Sequence, residues 1–291
     1  MEKELPLVSI CVPTKDRPEY LRQSIKSILA QDLLNMEIII SDNASTIQTF
    51  NVVNEIHDKR IKYSRNNKDL GLVGNLNRCI AMARGKYICI FHDDDIMLNE
   101  NISKKVEMLE SNPNVALVHS DIKRIDENSN IIGKHWASDQ AISKITYAKD
   151  MFELLLTDKN PICAPSVMVR RKVYDEVGLF DEKLDYTCDW NMWMRIAALH
   201  DIGYIDQPLI LYRCHKDMGT QKYLRTKGVS QIYQAKIRAI EKLGKDNDNY
   251  CAYIRQVKKY TKQRALKLAK RYFKRKEFKE AIRSFFLGII I

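Results

Sequence analysis

Residues 86–95 read KYICIFHDDD, and this stretch decides the fold. The apolar run at 86–91 predicts a buried strand that ends directly before Asp93, Asp94 and Asp95. Three ionised carboxylates in a partly buried place repel one another strongly. A bound divalent cation relieves that repulsion, and oxygen ligands suit Mg²⁺ or Mn²⁺. The stretch therefore predicts a metal-binding strand end; the alternative is an acidic turn before a helix that starts near Asn99.

Strands and helices alternate on both sides of this stretch. Further strands are predicted at 7–12, 36–40, 60–63, 115–119, 166–169 and 205–212, and helices at 18–29, 71–84 and 189–199. Gly85 stands where a glycine that ends a helix would stand. Because the strands alternate with helices, the sequence predicts an α/β fold with βαβ units and a mainly parallel sheet flanked by helices.

The last part of the chain differs from the rest. From about Gln221 its pattern is helical, with a break at 244–249. We therefore predict two domains, an α/β domain over 1–220 and a helical, basic C-terminal region over 221–291.

Three predicted strand ends are rich in polar side chains. The first strand leads into PTKDR at 13–17, the second into SDN at 41–43, and the fourth into the acidic triplet. In open parallel sheets, ligands bind beyond the carboxyl ends of the strands. The sequence thus predicts one binding site at this edge.

These same blocks resemble the successive motifs of the family-two inverting glycosyltransferases. The PT-x-x-R, SDNAST and acidic motifs, together with residues 188–195, occur in the family's order over roughly residues 5–215. The resemblance implies a GT-A (Rossmann-like) fold. It also implies metal-dependent, inverting transfer of a sugar from a nucleotide-diphosphate donor, with UDP-sugars favoured, to an acceptor hydroxyl. The implied acceptor is a glycan or a lipid-linked molecule of bacterial polysaccharide or glycoconjugate synthesis.

The resemblance also implies roles for the nucleotide-binding residues. These are Pro13, Thr14, Arg17, Asp42, Asn43 and Asp93. Asp42 matches the residue that accepts a hydrogen bond from the nucleobase, and Asp93 matches a position near the ribose. The alternative for Asp42 is a helix cap or turn residue.

The metal ligands implied for Mn²⁺ or Mg²⁺ are Asp94, Asp95 and the late His215. His92 stands where the commoner family pattern has serine, so the sequence leaves open which two carboxylates of the triplet bind the metal. A structural role is the alternative for His215. Lys222 and Arg225, further along, are candidates to close over the diphosphate.

Asp189, in CDWNMWMR at 188–195, matches the family's general base. In that role it would take the proton of the acceptor hydroxyl as the oxygen attacks the anomeric carbon. The family often has Glu-Asp here, and this chain has Cys188 in place of the glutamate. The alternative is that Asp189 only caps a helix. Trp190 and Trp193 fit core aromatic residues better than sugar-stacking ones.

Composition sets the broad class. Hydrophobic residues make up 45% of the 291 and charged residues 29%, as in ordinary globular proteins. The seven cysteines show no CxxC spacing. Together with a start that lacks an apolar secretion signal, they predict a cytoplasmic protein, peripheral at the inner face of the membrane if its tail binds lipid.

The formal net charge is +11, and Lys and Arg crowd the segment after Lys245. This segment is either a solvated helical face or a surface for anionic lipid or a phosphate-bearing acceptor. Nucleic acid is not expected as a partner, because no reader motif is present. Phe278, Ile282, Phe285 and Phe286 predict one apolar helix face, which either contacts an anionic membrane or packs on protein.

Other functions fit less well. A dehydrogenase would need G-x-G-x-x-G after the first strand, where this chain has VPTKDR at 12–17. A nucleotidyltransferase would need a glycine-rich phosphate loop, which we do not find. A non-catalytic nucleotide-sugar-binding module or scaffold is the remaining alternative. The joint presence of Asp42, Asp94 and Asp189 favours an enzyme.

Overall fold

A computed structural model of the chain describes residues 5–134, 144–157, 159–216, 218 and 226–291. The strands are β1 Val8–Thr14, β2 Met36–Asp42, β3 Ile61–Arg65, β4 Tyr87–Ile90, β5 Ile96–Met97, β6 Val115–Ile125, β7 Ile131–Lys134, β8 Ile145–Thr146, β9 Met168–Arg170 and β10 Asp201–Arg213. The helices are α1 Pro18–Leu29, α2 Ile47–Asn54, α3 Gly71–Met82, α4 Asn101–Ser111, α5 Ala148–Leu156, α6 Arg171–Val177, α7 Cys188–Ala197, α8 Thr226–Leu243, α9 Tyr250–Lys274 and α10 Phe278–Ile290.

The described residues form two compact units. The first, which we call the sheet unit, comprises the described parts of Met1–Ala148, Pro161–Phe180 and His200–His215. The second, the helical unit, comprises those of Lys149–Asn160, Asp181–Leu199 and Lys216–Ile291. The helical unit thus also contains Lys149–Asn160 and Asp181–Leu199, which precede residue 220. The predicted boundary between two domains at residue 220 stays a prediction.

All of the described strands lie in the sheet unit. Their order is β3-β2-β1-β4-β9-β6-β10-β5, with β7 beside β6 and β8 beside β10. The pairs among β3, β2, β1 and β4 are parallel, as is β6 with β10. β9 is antiparallel to both β4 and β6. The predicted fold class is confirmed, and each strand predicted from the sequence is present.

Apolar periodicity explains how the helices cover this sheet. α1 buries Leu21, Ile25 and Ile28, which lie on one face of the helix. These side chains join a continuous core with alternate residues of β1 and β2, such as Ile10 and Ile38. Burial of this face therefore holds the turn after β1, which carries the predicted nucleotide-binding residues, against the sheet edge.

The helical unit is built from α5 and α7–α10. Phe152 of α5 lies against Tyr253 of α9 with ring centroids 5.2 Å apart. Asn191 of α7 donates to the carbonyl of Ala235 in α8 at 2.9 Å. The predicted break after α8 is present, and a second break separates α9 from α10. Among the described helices, none combines the length and the apolar character that crossing a bilayer requires.

Gly85 does not end a helix, as the sequence had suggested. α3 ends at Met82, and Ala83 is its C-cap. Gly85 instead lies against the backbone of β1, where an added Cβ would come within 2.5 Å of the Ser9 nitrogen. Its own N–H donates to the Ser9 hydroxyl at 2.8 Å. The position requires glycine because the two backbones approach so closely.

We predict that Gly85→Ala lowers the free energy of unfolding by about 1–3 kcal/mol, because rigid backbone must move to admit the methyl group. Urea denaturation would measure the change. Gly133→Ala is the matched control, since its new methyl group would meet only the movable guanidinium of Arg124. Equal midpoints for the two variants would contradict this explanation of Gly85.

Candidate functional site

The carboxyl ends of β1, β2 and β4 lie side by side. Thr14 at the end of β1 is in register with Asp42 at the end of β2. β4 pairs in parallel with the opposite edge of β1 from β2. Phe91 follows β4, and its N–H donates to the Cys11 carbonyl at 2.8 Å. The three polar segments predicted to form one site therefore meet at one edge of the sheet.

Thr14 and Arg17 contact the acidic triplet directly. The Thr14 hydroxyl donates to Asp93 Oδ2 at 2.8 Å. The Arg17 guanidinium donates to Asp93 Oδ1 at 3.2 Å and to Asp94 Oδ2 at 2.6 Å. The sequence named all four residues as ligand-binding, and the structure brings them together.

Asp42 is fully buried and already has hydrogen-bond partners on both oxygens. Its Oδ1 accepts from the Ser45 N–H at 2.8 Å, and its Oδ2 accepts from the Tyr63 hydroxyl. The Arg65 guanidinium lies 4.0 Å away. These contacts fix the carboxylate at the strand end, and each oxygen keeps a second lone pair.

Asn43 holds the neighbouring loop. Its amide donates to Asp69 at 2.6 Å, and its carbonyl oxygen accepts from the Leu70 N–H at 2.8 Å. Pro13 lies in β1 opposite Ser41, one residue before Thr14. In the structure, Asn43 therefore positions the segment that begins α3.

The other two carboxylates of the triplet have different partners. Asp94 Oδ2 lies 3.0 Å from Nε2 of His215. Asp95 Oδ1 accepts from the Arg213 N–H at 2.8 Å. Asp95 Oδ2 is buried and has no hydrogen-bond partner among the described residues. Nδ1 of His92 lies 3.7 Å from this oxygen, and a buried carboxylate oxygen without a hydrogen bond is costly, so this atom is available to a ligand.

The three carboxyl groups of the triplet differ in the direction in which their pKa values are shifted. Burial, followed by the charge of Asp94, raises the pKa of Asp93 to about 6. Burial and Asp94 likewise raise the pKa of Asp95 well above its ordinary value. Burial also opposes ionisation of Asp94, but the hydrogen bond with His215 and the charge of Arg17 outweigh it, and the pKa of Asp94 is lowered. Asp94 is therefore the carboxylate of the triplet whose ionised form the surrounding protein favours most.

The residues present fit a divalent cation. Ligand atoms of His92, Asp94 and Asp95 all lie within 4.8 Å of one another. Burial lowers the pKa of His92, which favours the neutral, metal-binding imidazole. Sequence reasoning had treated His92 only as a departure from the family pattern. Its position directly before the triplet was the sequence signal that could have identified it as a metal-ligand candidate.

Arg213 is the residue that sequence reasoning missed. It is almost fully buried, and its Nε donates to the Asp94 carbonyl at 2.8 Å while its backbone N–H holds Asp95. Its guanidinium also donates to Gln23 at 2.8 Å and lies over the ring of Tyr20. A lone arginine at the end of a long β-rich run was the signal that could have identified it.

Lys222 and Arg225, the candidates to close over the diphosphate, lie outside the described residues.

Asp189 belongs to the helical unit, in the first turn of α7. Its Oδ1 accepts from the Trp190 N–H at 2.7 Å, and burial raises its pKa to about 6. Trp190 is buried and donates its indole N–H to the Leu155 carbonyl at 3.0 Å. Trp193 is also buried. The expectation that both tryptophans are core residues is confirmed.

The chain resembles proteins of known family. Residues 9–178 match the model described as glycosyl transferase family 2. An uncharacterized glycosyltransferase of Methanocaldococcus jannaschii is 34% identical over 217 residues, which cover 73% of this chain and 72% of that protein. The UDP-Glc:alpha-D-GlcNAc-diphosphoundecaprenol beta-1,3-glucosyltransferase of Escherichia coli is 30% identical over 200 residues, 69% of this chain and 73% of that protein.

Solved structures show the same fold. S. aureus TarS 1-349 in complex with UDP-GlcNAc matches with a TM-score of 0.69 at 16% identity, covering 87% of this chain and 71% of that one. The mannosyltransferase PcManGT of Pyrobaculum calidifontis, in complex with GDP-Man and Mn²⁺, matches with a TM-score of 0.59 at 16% identity, covering 99% and 87%. With the family model covering residues 9–178, the chain belongs to glycosyl transferase family 2 and has the GT-A fold.

Proposed function

We propose that this glycosyltransferase transfers a sugar from a UDP-sugar to an acceptor hydroxyl, with inversion at the anomeric carbon. The observation that carries the proposal is the buried acidic strand end. There Asp94 and Asp95 offer carboxylate oxygens, one of them without a hydrogen bond among the described residues, next to Thr14 and Arg17. Such a site suits a cation and the phosphates that the cation binds.

A uridine diphosphate fits the polar edge of the sheet. We assign the nucleobase to Asp42, whose free lone pairs can accept from a pyrimidine N3–H. Arg17 and Thr14 lie beside Asp93 and Asp94, where they can meet the ribose and phosphates. The E. coli relative is named for UDP-Glc, and TarS is seen with UDP-GlcNAc, which supports uridine as the base.

The cation would be held by Asp94, Asp95 and His92, and Mn²⁺ or Mg²⁺ suits these donors. When bound, such an ion neutralises the charge that develops on the leaving diphosphate. His215 and Arg17 both contact Asp94 Oδ2, so they orient this carboxylate and compete for its oxygen. We assign His215 the role of positioning Asp94. The family resemblance implies that His215 binds the metal, which would require its imidazole to leave Asp94.

Asp189 is proposed as the general base. With a pKa of about 6, it is mostly ionised at neutral pH and still basic enough to share a proton. It takes the proton of the acceptor hydroxyl while that oxygen forms a bond to the anomeric carbon. The bond from this carbon to the diphosphate oxygen breaks in the same displacement, and UDP leaves with the electron pair.

For the acceptor, we propose a lipid-linked glycan of polysaccharide or glycoconjugate synthesis. The support is the E. coli relative, whose name gives alpha-D-GlcNAc-diphosphoundecaprenol as the acceptor. UDP release from a panel of UDP-sugars, with Mn²⁺ and with or without this type of acceptor, tests the function. Binding of UDP-sugars without any turnover would instead identify a non-catalytic module.

We predict that Asp95→Asn weakens Mn²⁺ binding in the presence of UDP by about tenfold or more, because an amide offers no charge to the cation. Isothermal titration with the metal measures the loss. Asp32→Asn is the control, since Asp32 is exposed and only accepts from Ser103 at 2.6 Å. Unchanged Mn²⁺ affinity in the Asp95 variant would remove it from the metal site.

We predict that Asp189→Asn lowers kcat by about 10²–10⁴-fold while donor affinity stays near wild type. The base must be ionised, so wild-type kcat should fall as the pH drops through the Asp189 pKa of about 6. A pH–rate profile for both proteins checks this, since the variant should lose that limb. An equal loss of donor affinity would make Asp189 a binding residue instead.

A further inference from the structure

The two last helices pack together through small side chains. α10 buries Ala281, Ser284 and Gly288, which recur on one face of the helix. A Cβ added at Gly288 would lie 3.3 Å from the Leu266 side chain of α9, so the helices approach closely at that point. Because α10 uses its small residues for this contact, its large apolar residues point elsewhere.

Those large residues form an exposed apolar stripe along α10. The stripe consists of Phe278, Ile282, Phe285, Phe286 and Ile289, each between 50% and 57% exposed. Their i, i+4, i+7, i+8 and i+11 spacing places them on one side of the helix. Exposed apolar surface of this size marks an interaction site. The predicted apolar face is thus present, and in this structure it is not covered.

Basic residues precede the stripe in sequence and also lie between its members. From Tyr250 to Ile290 the chain has thirteen Lys and Arg against two Glu. We call the exposed cations nearest the stripe the basic rim. They are Lys270, Arg271, Lys274, Arg275, Lys276, Lys279 and Arg283. Phe273, which is 65% exposed, lies within this rim and contacts the ring of Phe278, with centroids 5.7 Å apart.

We propose that the apolar stripe and the basic rim dock the protein on an anionic lipid bilayer. An aromatic and aliphatic face beside Lys and Arg is the pattern of helices that lie in the membrane interface. α10 is about 20 Å long, enough to lie in that plane. A second copy is a poorer occupant, because it would bring a surface of the same positive charge, whereas an anionic bilayer complements that charge.

The test is sedimentation of the full chain with vesicles of phosphatidylcholine alone or mixed with phosphatidylglycerol. The chain should bind the anionic vesicles and be released at about 1 M salt, where the Debye length is only about 3 Å. The combined variant Phe278→Ser, Ile282→Ser, Phe286→Ser should bind the anionic vesicles at least about tenfold more weakly than the wild type. So should Lys274→Glu, Arg275→Glu, Lys276→Glu.

Matched controls change equally exposed residues elsewhere. Leu34→Ser with Leu199→Ser controls for the lost apolar surface, and Lys26→Glu, Lys172→Glu, Lys183→Glu controls for the changed net charge. Both controls should bind vesicles like the wild type, and circular dichroism should show every variant folded. The proposal is overturned if the wild type ignores anionic vesicles, or if the controls lose binding as much as the stripe and rim variants do. Concentration-dependent dimers without vesicle binding would also overturn it and assign the stripe to a second copy.

Discussion

Burial of three consecutive carboxylates at the end of β4 is the constraint on which the sheet unit depends. Asp93, Asp94 and Asp95 can be buried together only because cationic and polar groups from distant parts of the chain converge on them. Arg17 comes from the turn after β1, while Arg213 ends β10 and His215 follows two residues later. The strand order that places β1 beside β4 therefore also assembles the site.

Local patterns explain what the sequence predicted. Strand and helix periodicity predicted the α/β sheet. The rule that ligands bind at strand ends predicted that Thr14 and Arg17 lie near the triplet. What escaped prediction depends on packing between distant segments. The hydrogen bonds of Arg213 and the approach of Gly85 to Ser9 leave no periodic trace, because each is decided by a neighbour far away in sequence. The periodicity of α10 predicted its apolar face but left open whether protein covers that face.

The two units divide the proposed work. The sheet unit carries the residues that we propose for the donor and the cation, whereas the helical unit carries Asp189 and the basic tail. In an enzyme that acts on a lipid-linked acceptor, the general base and a membrane-docking surface would both serve the acceptor. The donor, by contrast, is a water-soluble nucleotide that needs only the fixed polar edge of the sheet.

The most direct measurement is anomalous diffraction at the manganese edge from crystals grown with UDP and Mn²⁺. If the acidic strand end is the centre of the donor site, a single strong peak should lie at the carboxylates of Asp94 and Asp95, with UDP phosphate oxygens in contact with it. A nucleotide bound at this edge with no peak there, or a peak at another cluster, would contradict the assignment.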